Sequence, residues 1–201
     1  MFNNAAERIR TGEVILSYVN GLKEPDEDGK YTVMLLLPQS DKDTYRDFEQ
    51  TAKAAYEQAV NKAWGGQRPQ FDMMSFMHNG NGVKPKTGLP YGAECKGHWV
   101  INVSTYRKPP MLDLTDHGRQ LLPEDLYSGI YARVTLTLKG YKNQGGIGIR
   151  VQLDNILKVR DGERLDGGPA AEDDFADILA SVTPSTQAAA PAINPLTGQP
   201  M

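Results

Sequence analysis

Aromatic and basic side chains alternate with apolar ones along two stretches of the chain, 129–142 and 147–160. In an extended strand, successive side chains point to opposite faces. One face of the first stretch is aliphatic, from Ile130 to Leu138, while the other carries tyrosine, threonine, arginine and lysine. Aromatic rings stack on unpaired bases and cations neutralise phosphates, so this second face predicts contact with single-stranded nucleic acid. Duplex DNA would offer no exposed base faces to the tyrosines.

The predicted binding residues come from both stretches, from the end of an earlier strand and from a glycine-rich loop. The tyrosines are predicted to stack on bases and the cations to contact phosphates. These residues are Lys84, Lys86, Tyr106, Arg107, Lys108, Tyr131, Arg133, Lys139, Tyr141, Lys142, Arg150 and Lys158. At any single position the alternative is an ordinary solvated strand face, so it is the repetition of the pattern that favours nucleic acid.

Charge is distributed unevenly along the chain, whose formal net charge is -3. Residues 84–160 contain twelve basic and six acidic residues, whereas 169–201 contain four acidic residues and no basic one. A tethered acidic segment competes with phosphates for a basic surface, and its apolar residues could also dock on a partner protein. The predicted tail residues are Glu172, Asp173, Asp174, Phe175 and Asp177. A tail that merely adds solubility is the alternative.

A β-hairpin and a long helix are predicted in the first third of the chain. Residues 13–20 and 30–37 are rich in aliphatic and β-branched residues, and they flank a turn-rich segment. Apolar residues then recur at helical spacing, which predicts an amphipathic helix over about 41–64, with Ser40 as its N-cap. The following Gly65-Gly66 pair predicts the end of that helix.

Three further strands are predicted after a long glycine- and proline-rich loop over 65–95. The first covers 97–106, and the second and third are the two alternating stretches, joined by a short glycine-containing turn at 143–146. Five strands and one long helix indicate a mainly β, OB-fold-like antiparallel barrel. We predict that this domain covers 1–168 and that 169–201, rich in proline and alanine, form a disordered acidic tail.

Motifs for enzymatic chemistry are weak. Gly80–Thr87 approaches a phosphate-binding loop, but Pro85 replaces its second glycine and removes a backbone N–H. Cys95 and His98 form one Cys-x-x-His pair, whereas structural zinc sites usually have two such pairs. We therefore predict no catalytic residue, no metal and no cofactor. A single cysteine, no signal-peptide pattern and no long apolar segment predict a cytoplasmic protein with no membrane partner.

Short motifs in their order along the chain resemble those of the phage-encoded single-stranded DNA-binding proteins that were long catalogued as a domain of unknown function. The matching segments are Gly29-Lys-Tyr-Thr-Val33, Leu36-Leu-Pro-Gln-Ser-Asp-Lys42, Tyr127-Ser-Gly-Ile-Tyr-Ala-Arg133, Asn143-Gln-Gly-Gly-Ile-Gly148 and Leu153-Asp-Asn-Ile-Leu-Lys-Val-Arg-Asp-Gly-Glu-Arg-Leu165. Together they extend over about residues 10–168.

The resemblance implies an OB-fold and sequence-independent binding of single strands in phage replication or recombination, in the host cytoplasm and often as a dimer. It also implies that the acidic tail contacts replication proteins and limits DNA binding. The alternative is a non-catalytic protein-interaction module of the same fold, with the tyrosine- and arginine-rich face as its interface. Binding to oligonucleotides distinguishes the two.

Overall fold

Nine strands and two helices form the part of the chain that this computed structural model describes, residues 6–165. The strands are β1 (Arg8–Arg10), β2 (Val14–Ser17), β3 (Tyr31–Pro38), β4 (Met77–Asn79), β5 (His98–Thr105), β6 (Met111–Asp113), β7 (Arg119–Gln120), β8 (Tyr131–Asn143) and β9 (Gly146–Arg160). The helices are α1 (Asn20–Lys23) and α2 (Lys42–Lys62).

Five of the strands close into a barrel. β3 pairs antiparallel with β2 and with β5, and β8 pairs antiparallel with β2 and with β9. A parallel contact between β5 and β9, with Ser104 opposite Gln152, closes the ring. The predicted OB-fold-like barrel with one long helix is therefore confirmed, and a single pair of its strands is parallel.

The barrel core is aliphatic because inward positions on each strand carry leucine, isoleucine or valine. Leu16, Leu35, Ile101, Leu136 and Leu153 are fully or almost fully buried there. These side chains come from all five barrel strands, and strand alternation in the sequence predicted the inward positions of the last three of them. The large aliphatic content supplies the apolar burial that stabilises a barrel of this size.

Helix α2 packs on the barrel through Phe48, Ala52 and Ala55, as its apolar spacing predicts. Its N-cap is Asp41 and not the predicted Ser40, because the Asp41 carboxylate accepts from both the backbone N–H and the hydroxyl of Thr44, at 2.9 and 2.7 Å. After the helix, Trp64 is buried and its indole N–H donates to the Tyr141 carbonyl at 3.0 Å.

Four short strands are not predicted by the sequence pattern. β1 pairs with β8, β4 pairs with β5 inside the predicted 65–95 loop, and β6 and β7 pair with each other. Each has two or three residues, too few to show a periodicity of two. We call residues 111–123, which contain β6 and β7, the flap; it joins the barrel where β6 runs parallel to β9.

The described residues lie in one compact unit, and none of their helices is long and apolar enough to cross a membrane. The predicted domain boundary at 168 and the predicted disordered tail lie outside the described residues. Both stay predictions.

Candidate nucleic-acid interface

The β8–β9 hairpin presents cations outward near its turn. Lys139 lies opposite Arg150, and both side chains are exposed. The Lys139 ammonium donates to the Gln152 side chain at 3.2 Å, and the Lys142 ammonium donates to Gln67 at 3.3 Å. None of these three cations forms an ion pair with another residue of the described range. Their charges are available to an anionic ligand.

Strand alternation fails further along β9 because the strand contains two bulges. Leu136 pairs with Leu153 and Thr135 with Asn155, so Asp154 is an extra residue that shifts the facing pattern by one. Ile156 consequently points into the core, whereas unbroken alternation from Leu153 would place Leu157 and Val159 there. A β-bulge has no reliable signature in a single sequence.

Lys158 is the predicted binding residue that this shift moves inward. It is only 8% exposed, and its ammonium lies 2.9 Å from an Asp161 oxygen and 3.4 Å from an oxygen of the buried Asp113. Burial alone lowers the pKa of Lys158, but the hydrogen bond and charge of Asp161, with the charge of Asp113, outweigh burial and raise it. The prediction that Lys158 faces outward to bind phosphate is wrong.

Asp113 anchors the flap to this lysine. The Thr115 hydroxyl and backbone N–H both donate to its carboxylate, at 2.6 and 2.8 Å. The hydroxyl hydrogen bond, followed by the backbone hydrogen bond and Lys158, lowers the pKa of Asp113 despite its burial. Asp113, Thr115 and Lys158 therefore form a charged, hydrogen-bonded contact between the flap and the barrel.

Tyr131 and Tyr141, both predicted stacking residues, are half-buried. The Arg160 guanidinium lies 3.3 Å from the Tyr131 ring centroid and is held by the Glu13 carboxylate. One face of the Tyr131 ring is thus already covered. The Tyr141 ring lies against Gly148, whose missing side chain leaves room for it. Both rings are less accessible to a base than strand alternation suggested.

Tyr106 is different, because 66% of it is exposed. It directly follows β5, and the Lys30 ammonium lies 5.7 Å from its ring centroid. Cation–π contact at this distance leaves most of the ring surface open to a ligand. Among the predicted tyrosines, Tyr106 is the one whose side chain is largely exposed.

Arg107 and Lys108 continue from Tyr106 and line one side of a groove. Its opposite side comes from Arg8 of β1 and from outward residues of β8 and β9, including Thr137 and Gln152. Arg133 lines an adjoining groove with Arg10 and Leu157. Arg8 and Arg10 were not predicted because the three residues of β1 are too few to show a strand. Because β1 pairs with β8, both side chains lie beside the outward face of β8.

The outward face of β3 and β5 has a covered half and an open half. In the covered half, Leu36 and Val100 are buried beneath Cys95. In the open half, Thr32 pairs with Ser104 and Met34 pairs with Asn102, all four at least partly accessible. Burial raises the pKa of Cys95 to about 11, so its thiol packs in the apolar cluster and does not act as a nucleophile.

Tyr18 borders this open half and was not predicted. It follows β2, whose last residue, Ser17, lies opposite Met34. Its φ of 57° is left-handed, so Tyr18 points outward and Val19 turns into the core. Such backbone conformations are uncommon for non-glycine residues and occur frequently at functional sites. Strand alternation from Val14 and Leu16 would have placed Tyr18 inside.

Lys84 and Lys86 lie on a separate hairpin between β4 and β5. Val83 bridges Pro90, and the Lys84 N–H donates to the Leu89 carbonyl at 2.8 Å. We call residues 83–90 the finger. It is joined to the loop that covers Leu36 and Val100, so both lysines belong to the β3–β5 side of the barrel and not to the β8–β9 turn.

Within residues 6–165, no group of three or more histidine, cysteine, aspartate or glutamate side chains is placed to hold a metal ion. The predicted tail residues Glu172, Asp173, Asp174, Phe175 and Asp177 lie outside the described residues.

Comparison with known protein families gives a match over residues 7–184, to the family described as Enterobacter phage Enc34, ssDNA-binding protein. Among curated proteins, the chain is 25% identical over 152 residues to protein p50 of Acyrthosiphon pisum secondary endosymbiont phage 1. That alignment covers 74% of this chain and 79% of p50.

Solved structures share the fold. The single-stranded DNA-binding protein of bacteriophage Enc34 superposes with a TM-score of 0.65 at 22% identity, covering 85% of this chain and 90% of its own. The same protein in complex with ssDNA gives 0.65 at 23% identity, covering 79% and 89%. Bacteriophage T7 gp2.5, a single-stranded DNA-binding protein, gives 0.51 at 18% identity, covering 92% and 100%.

Proposed function

The chain belongs to the family of the Enterobacter phage Enc34 ssDNA-binding protein, and from this premise we propose that it binds single-stranded DNA in phage DNA replication and recombination. Binding is independent of base sequence, because stacking on base faces and neutralisation of phosphates do not distinguish bases. The protein acts by covering and protecting the strand, and it catalyses no reaction.

The observation that carries this proposal is the open half of the β3–β5 face, bordered by two exposed tyrosines. In OB-folds, oligonucleotides bind across the second and third barrel strands and the adjoining loops. Those strands are β3 and β5 here. Tyr18 and Tyr106 are both largely exposed beside them. We assign these two rings as the stacking platforms for successive bases.

Cations on both sides of the β3–β5 face would follow the sugar-phosphate backbone. On one side, joined to the covered half, are Lys84 and Lys86 of the finger. On the other, β9 lies next to β5, which brings Lys139 and Arg150 of the hairpin to the same surface. Arg107 and Lys108 continue from Tyr106 into the groove beside β1. Arg133 and Lys142 lie further from the face and would contact a longer strand.

The tail would act as a competitor for this basic surface. Its carboxylates at Glu172, Asp173, Asp174 and Asp177 are tethered to the domain, so their effective concentration near the cations is high. Its apolar residues, including Phe175, would dock on replication or recombination proteins when DNA displaces the tail. We further propose that the protein works in the host cytoplasm and forms a dimer.

The test is a titration of a 30-nucleotide oligo-dT into the full-length protein, read by fluorescence anisotropy at two salt concentrations. We expect binding that weakens with salt, by about 0.7 in log–log slope for each phosphate neutralised. A full-length variant with the four tail carboxylates changed to amides should bind more tightly. No binding by either protein at low salt would overturn the proposal and favour the protein-interaction module.

A further inference from the structure

The finger exposes two aliphatic side chains that no part of the described chain covers. Val83 is 57% exposed and Leu89 is 62% exposed. They lie on opposite strands of the hairpin, whose tip is closed by hydrogen bonds from the N–H groups of Thr87 and Gly88 to the Lys84 carbonyl. Gly88 adopts a φ of 67°, which the turn requires. The finger therefore presents apolar side chains to solvent on an ordered hairpin.

The base of the finger is fixed to the barrel. The Gln39 side-chain amide donates to the Asn79 side chain at 2.9 Å, and the Gly97 N–H donates to the Asn81 side chain at 3.1 Å. Gly80 approaches the Cys95 carbonyl so closely that a Cβ atom would clash with it. Because these contacts hold both ends, the exposed Val83 and Leu89 have a defined position relative to the β3–β5 face.

The charge of the finger indicates the class of ligand that it would bind. Residues 73–93 contain Lys84 and Lys86 and no aspartate or glutamate. Neither lysine forms an ion pair with another described residue. Exposed aliphatic groups beside unpaired cations complement a ligand that has both apolar faces and anionic groups. A single strand of nucleic acid offers both, as base faces and phosphates.

We propose that the finger is a base wedge: Val83 and Leu89 insert against base faces and separate neighbouring bases, while Lys84 and Lys86 hold the flanking phosphates. Aliphatic side chains act in this way when they enter base steps and unstack them. The inference rests on the proposed function and assigns to the finger the residues that would unstack the bound strand. A strand held with separated bases is hindered from pairing, so the finger opposes reannealing and destabilises short hairpins.

The test uses a 30-nucleotide strand with two adjacent 2-aminopurines at its centre, whose fluorescence rises when they unstack. In the full-length wild type, saturating binding should raise this fluorescence. In V83S/L89S the rise should fall at least about twofold, and affinity should fall about threefold to thirtyfold as apolar contact is lost. The salt slope should stay unchanged, because both lysines remain.

A matched control is L114S/L122S, which removes two exposed leucines from the flap instead. It should leave both the fluorescence rise and the affinity at the wild-type level. All four positions are exposed, so both variants should fold, and circular dichroism checks this. The melting temperature of an eight-base-pair DNA hairpin gives a second readout, with a smaller depression by V83S/L89S than by the wild type.

Three results would overturn the wedge. One is an equal fluorescence rise in V83S/L89S and the wild type, and another is an equal loss in the flap control. The third is a sedimentation coefficient of V83S/L89S that differs from the wild-type value while the fluorescence rise is the same. That result would indicate that the finger is a contact between copies of the chain. If the wild type does not bind the strand at all, the proposed function itself fails, and that outcome is distinct from the other three.

Discussion

The two ends of the β8–β9 hairpin use cations in opposite ways. Near the turn, Lys139 and Arg150 are exposed, and within residues 6–165 the Lys139 ammonium is hydrogen-bonded only to the neutral Gln152 side chain. At the far end, Lys158 lies between Asp113 and Asp161, and Arg160 is held by Glu13. Both ends belong to the same pair of strands and show the same residue types in the sequence.

The difference shows that the partner of a cation decides what the cation does. A lysine paired with a buried carboxylate stabilises the fold and has little charge left for a ligand. A lysine hydrogen-bonded to a neutral amide can still bind phosphate. When its ammonium leaves the amide for the phosphate, no carboxylate loses its ion-pair partner. The hairpin therefore has a structural end, at Lys158 and Arg160, and a proposed binding end, at Lys139 and Arg150.

The largest effect should come from K158A. Removing one partner from a buried ion pair leaves the other charge uncompensated, which costs about 3 kcal/mol. We expect the free energy of unfolding in urea to fall by that amount, since Asp113 would stay buried without its cation. The salt slope of DNA binding by the folded variant should not change. A lowered slope with unchanged stability would return Lys158 to the binding surface.

The next largest effect should come from Y106A. Losing one stacking platform costs about 1–3 kcal/mol, or roughly fivefold to 150-fold in affinity for oligo-dT. The control is Y131A, whose ring is already covered by Arg160. Its affinity should change by less than about twofold after correction for folded fraction. Equal losses in the two variants would remove the distinction between a free and a covered ring.

A smaller effect is expected from K139A and R150A at the turn end. Each should reduce the log–log salt slope by about 0.7, the value for one phosphate contact on a single strand. Stability should be nearly unchanged, because surface cations without carboxylate partners contribute little to it. The matched control is R119A on the flap, where Arg119 is already paired with Asp116 and Asp125. A slope loss in R119A as large as in K139A would contradict the assignment.

The smallest effect is a pH dependence of the structural end. The pKa of Asp113 is below its ordinary value of 3.8 in the folded protein. A carboxylate with a lowered folded-state pKa stabilises the fold above its unfolded-state pKa, and that contribution is lost as pH falls through the folded-state pKa. Urea unfolding at pH 7, 5, 4 and 3 should therefore show a loss below about pH 4 that is weaker in D113N. Parallel curves for D113N and the wild type would show that Asp113 does not contribute.

Much of the fold followed from local pattern in the sequence. Helix α2 was predicted within two residues at each end because its apolar positions repeat over more than five turns. The five barrel strands were predicted because each has at least four residues rich in aliphatic and β-branched side chains, which alternate with polar ones in the later strands. Strands β1, β4, β6 and β7 were missed because two or three residues show no period, and only their partners define them.

The binding surface was less predictable than the fold. Tyr106 was chosen from its position beside a strand, and it is exposed. Tyr18 was missed because its left-handed backbone reverses the alternation of β2. Lys158 was misplaced because the bulge at Asp154 shifts the side chains from Asn155 to Lys158 by one face, until the second bulge at Val159 restores the facing pattern. Such local irregularities depend on contacts between strands, which a single sequence does not contain.

By itself, the sequence determined the barrel class, the long helix, most of the core and the basic, tyrosine-containing character of the outward surface. These depend on residue type and short-range periodicity, which are local properties of a chain. The tertiary structure alone decided which cations meet carboxylates, which rings are covered and that the finger is joined to the covered half of the β3–β5 face. Those outcomes join residues far apart in the chain, such as Asp113 with Lys158 and Glu13 with Arg160. Only folding brings such residues within the few ångströms at which charge and stacking act.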